Sequence, residues 1–139
     1  MSVVLLDTTV VSLLHPRKRG SAILERYAAH MEKQTLALSL QSVAELWNCA
    51  EARGWGEEAR NGLDLFIRRF LVIPYDYALA KVWARAMHSS QREGRRLESG
   101  DCWIAATAIH RAIPLLTHDR DFVGLAFPGL QAVSYAESE

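Results

Sequence analysis

Val3-Val4-Leu5-Leu6-Asp7-Thr8-Thr9 is the stretch that decides the fold. Four apolar residues run without a polar break, the pattern of a central parallel strand buried on both faces. Asp7 ends the run, and Asp7-Thr8-Thr9 offers capping groups for a helix through Val10–Leu14. The pattern recurs along the chain. Leu36-Ala37-Leu38 predicts a second strand, Leu71-Val72-Ile73 a third that Pro74 stops, Ile113–Leu116 a fourth, and Gln131–Ser134 a short last one. Amphipathic segments fill the intervals. Residues 21–33 carry Ile23, Leu24, Tyr27 and Met31 on one side, and a helix from about Ser42 to Arg53 ends at Gly54-Trp55-Gly56. Residues 57–70 align Leu63, Phe66, Ile67 and Phe70, and residues 76–90 align Leu79, Val82, Trp83, Ala86 and Met87. An alanine-rich helix spans Ser99–Ala112. Strands alternating with helices predict the α/β class with a parallel sheet.

Length and composition narrow the function. The 139 residues, half of them hydrophobic and 23% charged, predict one domain over residues 1–136 and a polar tail at 137–139. Lys+Arg and Asp+Glu balance at 16 each, so no global field draws the chain to nucleic acid and such binding needs local basic patches. Cys49 and Cys102 have neither disulfide-framework density nor metal-finger spacing and read as buried, reduced thiols. With no signal peptide and no apolar run of about 20 residues, the expected location is the cytoplasm.

Asp7, Glu45, Asp101 and Asp119 each stand where a strand has just ended or a helix has just begun. Strand C-termini and helix N-termini share one edge of a parallel sheet, and ligands of open α/β sheets bind there. Each acid also has a purely structural use. Asp7 can cap its helix; Ser42-Val43-Ala44-Glu45 matches a capping box; Asp101 suits the first turn of its helix; Asp119 suits a turn, with Asp121 two residues on as a second candidate. Convergence is the argument for function. Hard carboxylate oxygens are what Mg²⁺ or Mn²⁺ takes, and such ions activate water and stabilise a leaving oxygen in phosphodiester cleavage. The chain has no glycine-rich phosphate loop, no Gly-x-Ser-x-Gly elbow and no zinc spacing among His15, His30, His88, His110 and His118. His118 lies near the proposed site in a scaffold or solvent-facing role.

The segments Val4–Leu14, Val43-Ala44-Glu45-Leu46, Asp101–Ala108 and Leu115–Phe122 together resemble PIN-domain ribonucleases, specifically VapC-type toxins of toxin–antitoxin pairs. The resemblance implies a PIN-like fold, with a short parallel sheet ordered 3-2-1-4-5 and flanked by helices. It implies Mg²⁺- or Mn²⁺-dependent endoribonuclease activity, with Asp7, Glu45 and Asp101 as the main acids, Asp119 as the fourth, and Asp121 as its alternate. Thr117 or Thr8 would orient a ligand or a water. An antitoxin that offers Arg to the carboxylates, and a homodimer, follow from the same resemblance. Candidate RNA contacts are Arg17, Lys18 and Arg19 in one loop and Arg92, Arg95 and Arg96 in another, both of which also read as ordinary solvated loops. Two positions depart from the family pattern. Thr9 stands where relatives commonly have Asn, keeping an oxygen but losing the amide donors, and the fourth acid is Asp where relatives often have Asn.

Two other readings compete. A non-catalytic PIN-like module binding RNA or protein would use the acids as caps and surface charges. A haloacid-dehalogenase-like phosphatase also opens with Asp after its first strand, but wants a second Asp where this chain has Thr9.

Overall fold

The structure, a computed structural model, describes residues 2–15, 22–122 and 127–136. Within them lie β1 (Val3–Leu6), α1 (Thr8–Leu14), α2 (Ala22–Met31), β2 (Thr35–Ser39), α3 (Leu40–Ala52) and α4 (Glu57–Ile67). Then follow β3 (Leu71–Ile73), α5 (Tyr77–Arg92), α6 (Ser99–Arg111), β4 (Leu115–Thr117), a 3-10 turn at Arg120–Phe122 and β5 (Ala132–Ser134). The five strands form one sheet in the order β3-β2-β1-β4-β5, and every pairing is parallel. That is the order and class expected from the sequence.

The central position of β1 follows from its composition. Successive strand residues point to opposite faces, and here neither face is wet. Leu5 joins Ala37, Ile73, Ala105 and Leu115 in one core, closed by Ala86, Met87 and Ile104 from α5 and α6. Val4 and Leu6 join Leu38 and Leu116 in a second core, closed by Val10, Val11, Tyr27, Ala50, Leu63 and Phe66. The result is three layers, with α5 and α6 covering one face and the earlier helices the other. Ala105, Ala106 and Ala108 are all buried, so at these positions α6 meets its neighbours through methyl groups alone.

Several details differ from the expectation. Helix α3 begins at Leu40 with Ser39 as N-cap, whose hydroxyl accepts from Ser42 N at 3.1 Å. The Ser42–Glu45 capping box is therefore not formed: the strand hands over to the helix about one turn earlier, and Ser39 caps it instead. Helix α5 runs to Arg92, two residues past the helix expected over 76–90. Cys102 is buried as expected, whereas Cys49 is half-buried; both are free thiols. The basic loop residues Arg17, Lys18 and Arg19, and the tail at 137–139, lie outside the described residues.

Close packing of α6 gives a test. Ala105→Leu inserts three heavy atoms where no room exists, and should cost about 1–3 kcal/mol. Urea unfolding should show a lower midpoint at unchanged slope.

Candidate metal centre

Strand β1 delivers Asp7 to the middle of the C-terminal edge, where Asp7 N donates to Leu116 O at 2.9 Å as the strand ends. The residue is only 2% exposed. It does cap α1: one carboxylate oxygen accepts from Thr8 N at 2.7 Å. The other oxygen accepts from Thr117 Oγ1 at 2.7 Å and Thr9 Oγ1 at 3.0 Å. Burial pushes this carboxyl above its usual range; the three hydrogen bonds oppose the rise without cancelling it, and the Asp119 charge adds to it. The cap and the cluster are thus not alternatives, because the same side chain serves both.

Glu45 is placed by α3. Freed from the capping role, it lies in the second turn, where its carboxylate accepts from Thr8 Oγ1. Thr8 Oγ1 also lies 2.9 Å from Ser42 Oγ, so the start of α1 is stitched to α3. Gly100, in the first turn of α6, lies against the same two side chains: a Cβ there would stand 2.7 Å from Gln41 Nε2, which would have to swing aside, and 3.5 Å from Glu45 Oε1.

Asp101 occupies the first turn of α6, as expected from the sequence. Beyond β4, Thr117 Oγ1 accepts from Asp119 N at 3.1 Å, and an Asp119 carboxylate oxygen accepts from Asp121 N at 2.9 Å. Phe122 N donates to Asp119 O at 3.2 Å, and the Phe122 side chain is buried, which pins the 3-10 turn to the core. One carboxylate oxygen each from Asp101, Asp119 and Asp121 lie within 4.8 Å of one another. Asp119 and Asp121 are therefore both present, the first half-buried and the second exposed. Burial first, and then the charges of Asp119, Asp7, Asp121 and Glu45, push the Asp101 carboxyl up from 3.8 to about 7. A proton is a poor substitute for the cation that such a set of hard oxygen donors fits.

A supporting residue escaped the sequence reading. Tyr27 on α2 is fully buried, and its hydroxyl lies 2.8 Å from Thr117 O, 2.7 Å from His118 Nδ1 and 2.9 Å from Tyr135 N, which donates to it. His118 packs edge-on against the Tyr27 ring, and its backbone N donates to Thr9 Oγ1 at 2.9 Å. His118 is thus scaffold, and Thr9 bridges Asp7 to the loop that carries Asp119. Periodicity put Tyr27 on the apolar face of its helix; nothing in the chain announced that its hydroxyl would reach three groups about ninety or more residues away.

The PIN domain family profile matches residues 4–128, and the chain belongs to that family. A stretch of 53 residues is 43% identical to Ribonuclease VapC5 of Mycobacterium tuberculosis, covering 38% of this chain and 39% of that protein. Another of 67 residues is 31% identical to Ribonuclease VapC4 of the same organism, covering 48% and 50%. The matched stretches thus span half or less of these curated relatives. Among solved structures, VapBC-5 of Mycobacterium tuberculosis, a member of the VapBC family of toxin–antitoxin systems, superposes with a TM-score of 0.68 at 25% identity, covering 95% of this chain and 98% of that one. VapBC2 of Rickettsia felis, bound to a promoter DNA fragment, shares the fold at a TM-score of 0.78, 20% identity and coverage of 95% and 98%.

Two tests follow from this geometry. Because the Asp101 carboxyl is raised from 3.8 to about 7, the folded, metal-free protein holds a proton that the unfolded chain releases. The stability from that proton is complete below pH 3.8 and is lost as pH rises through about 7. From about pH 5 to about pH 8 in EDTA, the melting temperature of the wild type should therefore fall relative to Asp101→Asn. A parallel pH dependence of the two proteins would contradict the assignment. Separately, Tyr27→Phe strips a hydroxyl from three buried or half-buried polar groups and should cost about 1–3 kcal/mol in urea unfolding.

Proposed function

We propose that the protein is a Mg²⁺- or Mn²⁺-dependent endoribonuclease acting as the toxin of a toxin–antitoxin pair. The observation that carries this reading is the meeting of Asp101, Asp119 and Asp121 within 4.8 Å, with Asp7 and Glu45 close enough for their charges to act on Asp101. The partial identity to two VapC ribonucleases supports it.

Asp7, Glu45, Asp101 and Asp119 are the residues that would hold the ion, with Asp121 completing the rim. When bound, the ion supplies Lewis-acid activation of water and stabilisation of the leaving oxygen in phosphodiester hydrolysis. The chain's own residues prepare the place. Thr117 and Thr9 fix one Asp7 oxygen, Thr8 fixes Glu45, and the Asp121 backbone fixes one Asp119 oxygen. The Asp7, Glu45 and Asp119 carboxylates are thereby held at set angles before any ligand arrives, which lowers the reorganisation needed for catalysis. The cognate antitoxin would cover this negative edge, with an Arg paired to the carboxylates. A homodimer and a cytoplasmic location complete the reading; among the described residues no helix is long and apolar enough to cross a membrane.

Cleavage of a structured RNA should require Mg²⁺ or Mn²⁺, stop in EDTA, and fall about a hundredfold or more in Asp7→Asn and Asp101→Asn. Mn²⁺ at a hundredfold excess over its Kd should stabilise the wild type by about 2.7 kcal/mol. The same addition should leave Asp101→Asn nearly unmoved. Asn is a good helix cap, so Asp7→Asn is expected to fold. Undiminished cleavage in both variants would sink the nuclease reading. Folded wild type that neither cuts RNA nor responds to Mn²⁺ would leave the non-catalytic module in its place.

A further inference from the structure

The acid cluster poses an electrostatic problem for the proposed substrate. RNA is a polyanion, the cluster is strongly negative, and the chain as a whole is neutral, so no global attraction brings them together. A cation track beside the cluster would resolve it, and α5 carries one. Arg85, His88 and Arg92 stand at i, i+3 and i+7, a spacing that puts all three on one helix face. All three are exposed. With Ser89 and Glu93 they line an open cleft of about 490 Å³. Two permanent positive charges and a histidine there face a single carboxylate. Among the described residues none of the three takes part in an ion pair.

The direction of the stripe follows from the packing of α5 on α6. Asp76, at the start of α5, lies 3.9 Å from His110 near the end of α6, and Trp83 Nε1 donates to Ser99 O at the start of α6 at 3.3 Å. The two helices are therefore antiparallel: Trp83 is level with the first turn of α6, where Asp101 stands, and the Arg85–Arg92 half of α5 continues beyond that level. Past its end, Arg95 donates to Asp121 O at 3.4 Å, tying the connector to the acid cluster. From Arg85 to Arg92 the helix rises about 10 Å.

We propose that Arg85, His88 and Arg92 form a phosphate track along α5 that leads single-stranded RNA into the acid cluster. The proposal rests on the nuclease reading and names the strand's route to that site. A flexible polyanion with regularly repeated charges can follow the stripe and deliver one phosphate to the acids. An acidic peptide would gain nothing from the acid cluster at the end of the stripe.

The test is the double variant Arg85→Gln/Arg92→Gln in the full chain. Both residues are exposed, so its thermal melt should match that of the parent. In the Asp101→Asn background, binding of a fluorescein-labelled oligouridylate should weaken about tenfold or more, and the slope of log K against log salt should flatten by about 0.7 for each phosphate no longer neutralised. With the acids intact and Mn²⁺ present, the loss of kcat/KM should be at least about tenfold greater on the long strand than on a uridine dinucleotide too short to reach the stripe. An unchanged salt slope, or equal losses on both substrates, overturns the track. So does a variant whose only defect in sedimentation is weaker association of two copies. Failure of the nuclease reading looks different: the wild type would bind the oligouridylate with a steep salt slope, lose it in the double variant, and cut neither substrate.

Discussion

The constraint on which the molecule depends is the parallel pairing of β1 between β2 and β4. Leu5 stands opposite Ala37 on one side and Leu115 on the other, and Leu6 opposite Leu116. Once that register is set, Asp7 and Thr117 must finish side by side on the same edge, and Ser39 must hand its strand over to α3 nearby. A slip of one residue would turn Leu5 and Leu6 to the wrong cores and carry Asp7 away from Thr117. The hydrophobic pattern of four residues therefore fixes the position of the most buried carboxylate.

The strands and the class of fold were legible in the sequence because burial on both faces leaves a continuous apolar run, which few other environments produce. Three of the acids were legible from marked boundaries: Asp7 and Asp119 come just after strands β1 and β4, and Asp101 falls in the first turn of α6. Glu45 was harder. Its local context imitates a capping box, and only the folded chain shows α3 already begun, with Ser39 at the end of β2 capping it through Ser42 N. Tyr27 was illegible as part of the site, since a buried tyrosine on an apolar stripe reads as core. Its hydroxyl matters because of partners on and just beyond β4 and β5, which no local pattern can announce. Asp119 and Asp121 meet in one turn, where an Asp119 carboxylate oxygen accepts from the backbone N of Asp121, and both lie within 4.8 Å of Asp101.

The electrostatics of the edge run against the stability of the fold. Desolvation and four neighbouring charges all raise the Asp101 carboxyl, and none of them helps the apo protein. The fold tolerates the arrangement because the hydrophobic layers are decided elsewhere: both cores close without any of the five acids. Sites of this kind are where consistency between local preference and global structure is given up in favour of function.

The alanines of α6 have a consequence for how this site can change over time. A helix with methyl-sized spacers cannot be shifted by small repacking substitutions, since any larger residue must displace the sheet or α5. Asp101 is thus on a fixed mount, and Asp7 is walled in by threonines. Asp121 alone of the three clustered acids is exposed, on a turn whose anchor is Phe122 and not Asp121 itself. A substitution at Asp121 would accordingly leave the packing of the edge intact, whereas one at Asp7 would act on the buried interior.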